Sequence, residues 1–393
     1  DLSIESSNYN VNCLELASQK KSIINYKSSK QEDLYMTWNL FYSQFLQLKK
    51  IDVVIFNQAI EGLAGILLAK NAKKLDIQCF VPHMCRFIKK SFFSINQNEN
   101  LEIRESKSEK ALTITVKTID QIRENKFMDY EYTHIKKIFF FKRYFLFIKK
   151  LFFQKNSFDL PRIKVSIENN FSYLYKIKYE VNKLRSKKYF NLNSIEGLNQ
   201  KYIFYPLQYT PESSINIPNA YFVDQERLID LIRFNMPEDY ILIVKEHPSM
   251  YGRRSSRFFK KLSKKSSTRI ISPKISSHLL IKNASLVVSV SGTACFEAYI
   301  LKIPSIVFGK TFFDMFTNIY GIDYNDLNQT LKKYIKRKIT DKDVNLALNL
   351  IFQNTYDFVC GGVDFDKNIL SNENINNFMK SLDKELNLRL EKS

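Results

Sequence analysis

The sequence predicts an α/β protein with two Rossmann-like domains, whose parallel sheets face a central cleft. The chain has 393 residues, more than a single domain usually contains and enough for two hydrophobic cores. Hydrophobic residues make up 45% of it, with only 9 Gly and 9 Pro, which argues against a disordered chain. Short apolar segments alternate with amphipathic segments in both halves, a pattern typical of parallel strands joined by helices.

The first domain is predicted to span residues 1–198. Its early part contains a helix-compatible aromatic segment, a buried strand, a helix and a second strand that is bounded by Pro82. These elements are predicted over residues 34–49, 52–56, 61–74 and 77–81. The last three form a βαβ unit, which predicts a parallel sheet.

Residues 132–155 predict a basic amphipathic helix. Aromatic runs are interrupted by three pairs of cationic residues, and at about 100° per residue all of these charges except Lys137 share an arc of roughly 140°. One interpretation is an in-plane anchor that inserts Phe side chains into an anionic membrane surface. The other is a long helix packed on its own domain, with lysines whose charged ends reach water.

The second domain is predicted to span residues 199–370, followed by a polar helix over 371–393 that crosses back to the first domain. Alternation of strands and helices again indicates a parallel sheet. Strands are predicted over residues 202–205, 240–244, 286–288 and 305–308, and helices over 223–234 and 293–301.

The formal net charge of +20 favours anionic partners, which include nucleotides, acidic sugars, anionic lipids and nucleic acid. A biased Lys-rich composition that only solvates the surface would give the same charge. No signature of an RRM, KH, zinc-finger or helix-turn-helix domain is visible, so we do not expect nucleic-acid binding.

Five cysteines are scattered without a CxxC spacing, which predicts neither a disulfide framework nor a zinc site and fits a reducing compartment. The first residues lack a basic segment followed by an apolar core, and no run of 18 apolar residues occurs. We therefore expect a cytoplasmic protein without a membrane span, peripheral on the inner face of the cell membrane if residues 132–155 bind lipid. Because the sequence lacks an initiator Met, an upstream segment could be missing.

The segment from Val287 to Ala298 predicts an anion site. A buried strand here ends in Ser-Gly-Thr and runs into a helix, so backbone N–H groups gather at the helix N-terminus. Three hydroxyls and a glycine that permits close approach add to this site: Ser289, Ser291, Gly292 and Thr293. The alternative interpretation is an ordinary N-cap at a strand-to-helix turn.

A second polar segment, Lys245-Glu246-His247-Pro248, follows a buried strand. Ligands of open α/β sheets bind at the carboxyl ends of strands. Pro248 ends the strand, so we expect His247 to point into the crevice and donate to a phosphate oxygen. A purely structural histidine is the alternative, but this one lies at a strand end in a chain with only four His.

The polar loop over residues 206–214 brings a carboxylate to the same edge. Glu212 is the candidate catalytic carboxylate, as base or as nucleophile. Gln208 and Ser214 are candidate substrate contacts in this loop. A loop-stabilising glutamate is the alternative interpretation of Glu212.

In the first domain, Asn57 and Gln58 end a predicted strand where a substrate would face the cleft. Glu61 follows them and is a candidate general base. A glutamate favoured by the dipole at the start of a helix explains its position as well.

At these residues the sequence resembles the bacterial capsular-polysaccharide synthesis proteins of the Kdo and nonulosonic-acid transferase type, which have GT-B architecture. The resemblance covers mainly residues 200–310. The strand and loop from Phe204 to Gln208, with Glu212 and Ser214, look like the family's loop with an essential carboxylate. Lys245 to Pro248 look like its HP motif, and Ser289 to Thr293 look like its Ser/Thr-rich motif.

The resemblance implies a glycosyltransferase that moves a 2-keto sugar acid, of Kdo, sialic, pseudaminic or legionaminic type, from a CMP-activated donor to a surface-polysaccharide acceptor. It places His247, Ser291, Gly292 and Thr293 at the nucleotide phosphate, with Glu212 near the anomeric carbon. No metal is expected, since His, Lys and helix N–H groups neutralise the leaving phosphate. Thr210 and Pro211 stand where some relatives carry acidic residues, which leaves Glu212 alone as nucleophile or base.

Other functions fit part of the same pattern. A CDP-glycerol-type phosphotransferase of teichoic-acid assembly also releases CMP and uses similar motifs. A sugar-nucleotide epimerase fits less well, because no set of carboxylates that would abstract and return a proton is apparent. A capsule assembly factor that binds glycan or nucleotide without turnover belongs to a different class and would bind CMP without reaction.

Overall fold

The computed structural model describes residues 28–56, 60, 62–85, 90–94, 101–104, 119, 178–210, 219–317, 326–361 and 367–390. Within these residues the helices are α1 (Ser28–Leu48), α2 (Gly62–Lys74), α3 (178–187), α4 (Gln225–Asn235), α5 (Ser256–Leu262), α6 (Ser277–Lys282), α7 (Ala294–Ile300), α8 (Asp314–Thr317), α9 (Leu327–Ile335), α10 (Asp341–Gln353) and α11 (Asn372–Leu390). The strands are β1 (Val53–Ile55), β2 (Gln78–Cys85), β3 (Lys90–Ser94), β4 (Lys201–Pro206), β5 (Tyr240–Lys245), β6 (Thr268–Ile271), β7 (Leu286–Ser289) and β8 (Ser305–Val307).

The first sheet contains β1, β2 and β3 in that order. Strands β1 and β2 are parallel, with Val54 opposite Cys79, and α2 connects them. The predicted βαβ unit is therefore confirmed. Strand β3 runs antiparallel to β2, with Phe92 opposite His83, so this sheet is mixed rather than wholly parallel.

Pro82 lies inside β2, whereas the sequence predicted that the strand would end before this proline. Strand β1 pairs with β2 only as far as Ile55 opposite Phe80, so it has ended before Pro82 is reached. Beyond that point β2 pairs with β3 alone, and Pro82 lies opposite Phe93. A proline is tolerated where its missing N–H faces no partner strand.

The second sheet contains five parallel strands in the order β6-β5-β4-β7-β8. Side chains alternate between two cores. Tyr202 and Phe204 of β4 lie in one core, together with residues of α6, α7 and α10. Ile203 and Tyr205 lie in the other, with residues of α4, α5 and α9. Since both faces are covered, the strands read as continuous apolar runs, and the predicted α/β class is confirmed.

Helix α11 and strand β3 connect the first sheet to the end of the second half. Ser91 and Tyr356 exchange two backbone hydrogen bonds, of 3.0 and 2.7 Å. Leu382 of α11 shares a core with Phe80, Phe93 and Phe358. The last described helix therefore packs against both the first sheet and the segment that follows α10.

No helix in the described ranges is long and apolar enough to span a membrane. The predicted amphipathic helix over residues 132–155 lies outside the described residues, and the boundaries predicted at residues 198 and 370 stay predictions.

Candidate functional site

The loops that follow β4, β5 and β7 lie at one edge of the second sheet. Strand β4 is the first of this sheet along the chain, and the strand order reverses beside it, because β5 pairs on one side and β7 on the other. Ligands of open α/β sheets bind at the carboxyl edge where the order reverses. The three polar segments that the sequence singles out follow these three strands.

Ser289 closes the loop after β7. It is fully buried, and its Oγ accepts a hydrogen bond from the N–H of Gly292 at 3.0 Å. The same oxygen lies 3.1 Å from Cys295 Sγ. Burial raises the pKa of the Cys295 thiol to about 12, so the sulfur stays protonated. The Ser289 hydroxyl therefore stabilises this turn through contacts within the protein.

The two other hydroxyls of the loop are placed differently. Ser291 is only 8% exposed, and its buried Oγ has no hydrogen-bond partner among the described residues. Thr293 precedes α7 as its N-cap residue, and within the described chain its side chain makes no capping hydrogen bond. A buried hydroxyl without a partner is costly, and a ligand oxygen would remove that cost.

Gln208 connects the loops after β4 and β7. Its N–H donates to Gln225 Oε1 at 2.7 Å, and its carbonyl accepts from Gln225 Nε2 at 3.3 Å. A Cβ on Gly292 would lie 2.7 Å from Gln208 Nε2 and 3.3 Å from Ser289 Oγ. A side chain at position 292 would therefore displace the Gln208 amide.

Lys245 is 4% exposed and donates to Ser277 Oγ at the start of α6, at 2.9 Å. Any electrostatic effect it has on an anion at the sheet edge acts from a buried position.

His247 has a defined orientation. Its Nδ1 accepts a hydrogen bond from the N–H of Ser249 at 3.2 Å, which caps the single turn of 3₁₀ helix Pro248–Met250. A neutral histidine that accepts at Nδ1 carries its proton at Nε2. Pro248 begins the turn and gives the chain its change of direction. The capping bond therefore fixes Nε2 as a hydrogen-bond donor.

A buried ion pair joins Glu246 to Arg254. Glu246 is fully buried, and its Oε2 accepts from Arg254 Nε at 2.8 Å. Its other oxygen accepts from the N–H of His247 at 2.8 Å. Burial raises the pKa of Glu246, and the charge of Arg254 opposes that rise. Because Arg254 Nη2 also donates to the carbonyl of Gln208 at 2.9 Å, this pair fixes the loops after β4 and β5 to each other.

Tyr209 and Arg253 lie beside His247. The rings of Tyr209 and His247 meet edge to face, with centroids 5.8 Å apart. Arg253 Nη1 donates to the Tyr209 hydroxyl at 2.6 Å, and its guanidinium carbon lies 5.7 Å from the Tyr209 ring centroid. The edge thus carries a cation next to the predicted phosphate-binding histidine.

The structure therefore brings Gln208, Ser289 and Gly292 into contact and places His247 on the neighbouring loop. Five predicted site residues lie outside the described residues: Asn57, Gln58, Glu61, Glu212 and Ser214. The motifs did not single out Arg253 and Arg254, although a pair of arginines six residues after a strand-end histidine is a readable signal.

Fold and site together define a doubly wound α/β protein whose sheet edge offers hydroxyls, a histidine donor and arginine to an anion. Residues 164–356, just under half of the chain, match the model of the capsule polysaccharide biosynthesis protein family. The family resemblance read from the motifs is thereby confirmed. A search of curated proteins found no match.

Solved structures resemble the chain only distantly. One is the KpsC β-Kdo 2,7-transferase of Thermosulfurimonas dismutans, at 18% identity over 49% of this chain and with a TM-score of 0.30. This chain spans 56% of that protein. The β-Kdo 2,4-transferase of the same KpsC matches at 11% identity over 76% of this chain and 78% of that one, with a TM-score of 0.42. The UDP-GlcNAc 2-epimerase of Methanocaldococcus jannaschii matches at 15% over 84% and 82%, with a TM-score of 0.29.

Proposed function

We propose that the protein is a glycosyltransferase of capsule polysaccharide synthesis that uses a CMP-activated 2-keto sugar acid. The observation that carries this proposal is the match to the capsule family over the residues that also build the sheet-edge site. Kdo, sialic, pseudaminic and legionaminic acids are the candidate sugars, and the acceptor is a glycan or glycolipid. The work of the site is to bind the donor and stabilise CMP as it leaves.

In this proposal the nucleotide phosphate lies between the loops after β5 and β7. His247 Nε2–H donates to one phosphate oxygen, and the hydroxyls of Ser291 and Thr293 donate to others. Gly292 has no side chain, so the phosphate can approach the loop backbone closely. Donors that are already in place where negative charge develops stabilise a leaving phosphate without reorganisation, and no metal is proposed.

Glu212 is the proposed carboxylate at the anomeric carbon, as nucleophile or base, with Gln208 and Ser214 as donor contacts. Asn57, Gln58 and Glu61 are proposed to serve the acceptor side. A Glu212→Gln variant keeps the side-chain shape and removes the charge, so transfer is expected to fall by orders of magnitude while CMP affinity stays within a factor of a few.

Calorimetric titration of CMP, CDP, UDP and GDP tests the donor class. We expect selective CMP binding that His247→Ala abolishes, because this change removes the Nε2 donor. His247→Asn is the matched control for folding, since Asn can still cap the Pro248–Met250 turn. It should therefore retain the wild-type thermal stability while losing CMP affinity.

Selective binding of UDP or GDP would contradict the CMP donor, and selective CDP binding would favour glycerol-phosphate transfer. If none of the four nucleotides bound, the proposed catalysis would be wrong. CMP binding without any transfer by the wild-type protein would instead favour an assembly factor.

A further inference from the structure

Arg253 is exposed, and no carboxylate of the described residues forms an ion pair with it. Its guanidinium carbon lies 5.7 Å from the ring centroids of both Tyr179 and Tyr209. The hydrogen bond to the Tyr209 hydroxyl and the contact with the Tyr179 ring orient the guanidinium without neutralising its charge. Neighbouring Arg254 differs, because its charge is used by the buried carboxylate of Glu246.

The turn that carries Arg253 is held rigidly on α3. Gly252 has a φ of +89°, and a Cβ there would lie 2.6 Å from the carbonyl oxygen of Tyr179. Asn182 Nδ2 donates to the carbonyl of Gly252 at 3.2 Å. Backbone contact on one side and an aromatic pair on the other leave Arg253 with little freedom, so a ligand that binds it loses little conformational entropy.

Arg253 is placed within reach of the same ligand as His247. Its Nη1 donates to the Tyr209 hydroxyl at 2.6 Å, and the Tyr209 ring lies against the His247 ring. The hydroxyls of Ser291 and Thr293 are on the neighbouring loop. Separate hydroxyl donors of this kind suit the tetrahedral oxygens of a phosphate. A planar guanidinium instead matches a planar carboxylate, with two parallel hydrogen bonds.

We propose that Arg253 binds the carboxylate of the donor's 2-keto sugar acid and is the residue that selects an acidic sugar. This inference rests on the proposed function and deepens it. In this arrangement the loops after β5 and β7 bind the phosphate, and Arg253, which contacts Tyr179 and Tyr209, binds the carboxylate. Tyr209 positions the guanidinium through its hydroxyl.

The test is calorimetric titration of CMP, CMP-Kdo and CMP-N-acetylneuraminic acid into the wild-type protein and the Arg253→Gln, Arg253→Lys and Tyr209→Phe variants. For whichever sugar donor binds the wild type more tightly, Arg253→Gln is expected to weaken binding about ten- to a hundredfold, the effect of losing a charge-assisted pair. CMP affinity is expected to change less than twofold. Arg253→Lys should recover only part of the loss, because an ammonium cannot form the bidentate pair.

Tyr209→Phe keeps the aromatic face and removes the hydroxyl, so it should give a smaller loss with the same selectivity for the sugar donor. Arg257→Gln is the matched control: Arg257 is exposed on α5, a few residues further along the chain, and its removal should change no affinity.

An equal loss of CMP and CMP-sugar affinity in Arg253→Gln would overturn the inference, because it would make Arg253 a phosphate ligand. Unchanged affinity for both would overturn it as well. These outcomes leave the proposed function intact, since wild-type CMP binding is measured in the same experiment. A wild-type protein that does not bind CMP would instead refute the proposed function, and this inference with it.

Discussion

At the scale of single residues, the site depends on one close approach. Gln208 follows β4 and Gly292 follows β7, and the Gln208 amide occupies the space where a side chain at position 292 would begin. The two residues are 84 positions apart, yet neighbouring parallel strands bring them together. The cost of a side chain at position 292 is therefore steric, and it should fall when the obstructing Gln208 amide is removed.

Gly292→Ala is expected to displace the Gln208 side chain, to weaken CMP binding at least tenfold and to lower the free energy of unfolding by about 1–2 kcal/mol. In a Gln208→Ala background the same change should cost less, because the nearest obstacle is gone. Urea unfolding of the four proteins in this cycle, together with CMP titration, measures both effects.

Gly65→Ala is the matched control for Gly292→Ala. Gly65 lies in α2, and a Cβ there would meet no atom closer than 3.4 Å. In a helix interior this change should be neutral or stabilising by about 0.5–1 kcal/mol. If the cost at position 292 were the same with and without Gln208, the steric explanation would be wrong.

The sequence could predict His247, Ser291 and Gly292 as candidate site residues because each one follows a strand in a recognisable motif. It could not predict what the individual atoms do. Ser289 and Ser291 look equivalent in the sequence. In the structure, however, the Ser289 hydroxyl accepts a hydrogen bond from the N–H of Gly292 and contacts Cys295 Sγ. The spacing of Arg253 after His247 can be read from the sequence, but the orientation of its side chain depends on Tyr179 and Tyr209, which are remote in sequence.

At the scale of elements, strands that form apolar runs were predictable, even short ones such as β7 and β8, whereas β3 and β6 were not. Strand β5 is six residues long and wholly buried, and its pattern is clear. Strand β6 is only four residues long, contains Arg269 and follows a lysine-rich segment, so no apolar run indicates it. Its place at the sheet edge comes from pairing with β5, which a single sequence does not show.

Helix α11 is anchored by the buried carboxylate of Glu385. Arg104 Nη1 donates to Oε2 at 3.0 Å, Arg389 Nη2 donates to Oε1 at 2.7 Å, and the Tyr356 hydroxyl donates to Oε2 at 2.5 Å. Burial by itself would raise the pKa of Glu385. The hydrogen bonds from Arg104 and Tyr356 and the charges of both arginines outweigh it, so the pKa lies below its ordinary value.

A carboxyl whose pKa is lowered by folding adds stability above its unfolded pKa and loses that stability as the pH falls through its folded pKa. Glu385→Gln is therefore expected to lower the free energy of unfolding by about 2–4 kcal/mol at pH 7, because it removes the buried carboxylate and leaves the two arginines with Glu102 alone. The difference from wild type should shrink as the pH falls below about 4.5, the ordinary range for glutamate.

Urea unfolding of wild type and Glu385→Gln between pH 3.5 and pH 7, monitored by circular dichroism, measures this difference. Asp383→Asn is the matched control, since Asp383 is an exposed carboxylate two residues earlier on the same helix. It should cost less than about 0.5 kcal/mol at each pH. A pH-independent cost for Glu385→Gln would show that packing, not charge, holds the helix.

At the scale of the whole molecule, the sequence predicts the alternation of strands and helices and a C-terminal helix that crosses back, but not which residues join the two sheets. The alternation is local, because each strand and helix carries its own period. The joining is not. It depends on β3, which pairs with Tyr356 across 265 positions, and on α11, whose Leu382 reaches the core of the first sheet. Neither contact has a local pattern that would indicate its partner.

The net charge of +20 belongs to the whole molecule, and its distribution decides whether it serves a membrane. An acceptor linked to lipid would require the enzyme to work at an anionic surface, and residues 132–155 carry the predicted basic amphipathic pattern. We expect the protein to co-sediment with vesicles of phosphatidylcholine and phosphatidylglycerol, but not with phosphatidylcholine alone. Each lysine or arginine near such a surface contributes about 1 kcal/mol, and salt weakens the attraction.

Changing four cations of this segment to Gln should therefore weaken vesicle binding by about two to three orders of magnitude at low salt. The four positions are Lys136, Lys142, Arg143 and Lys149. The matched control removes four exposed lysines of the second half: Lys260, Lys264, Lys282 and Lys336. Both variants lose the same charge, so equal losses of binding would mean that only the net charge attracts the membrane. Loss confined to the first variant would assign the membrane contact to residues 132–155, whose sequence alternates cationic pairs with aromatic runs.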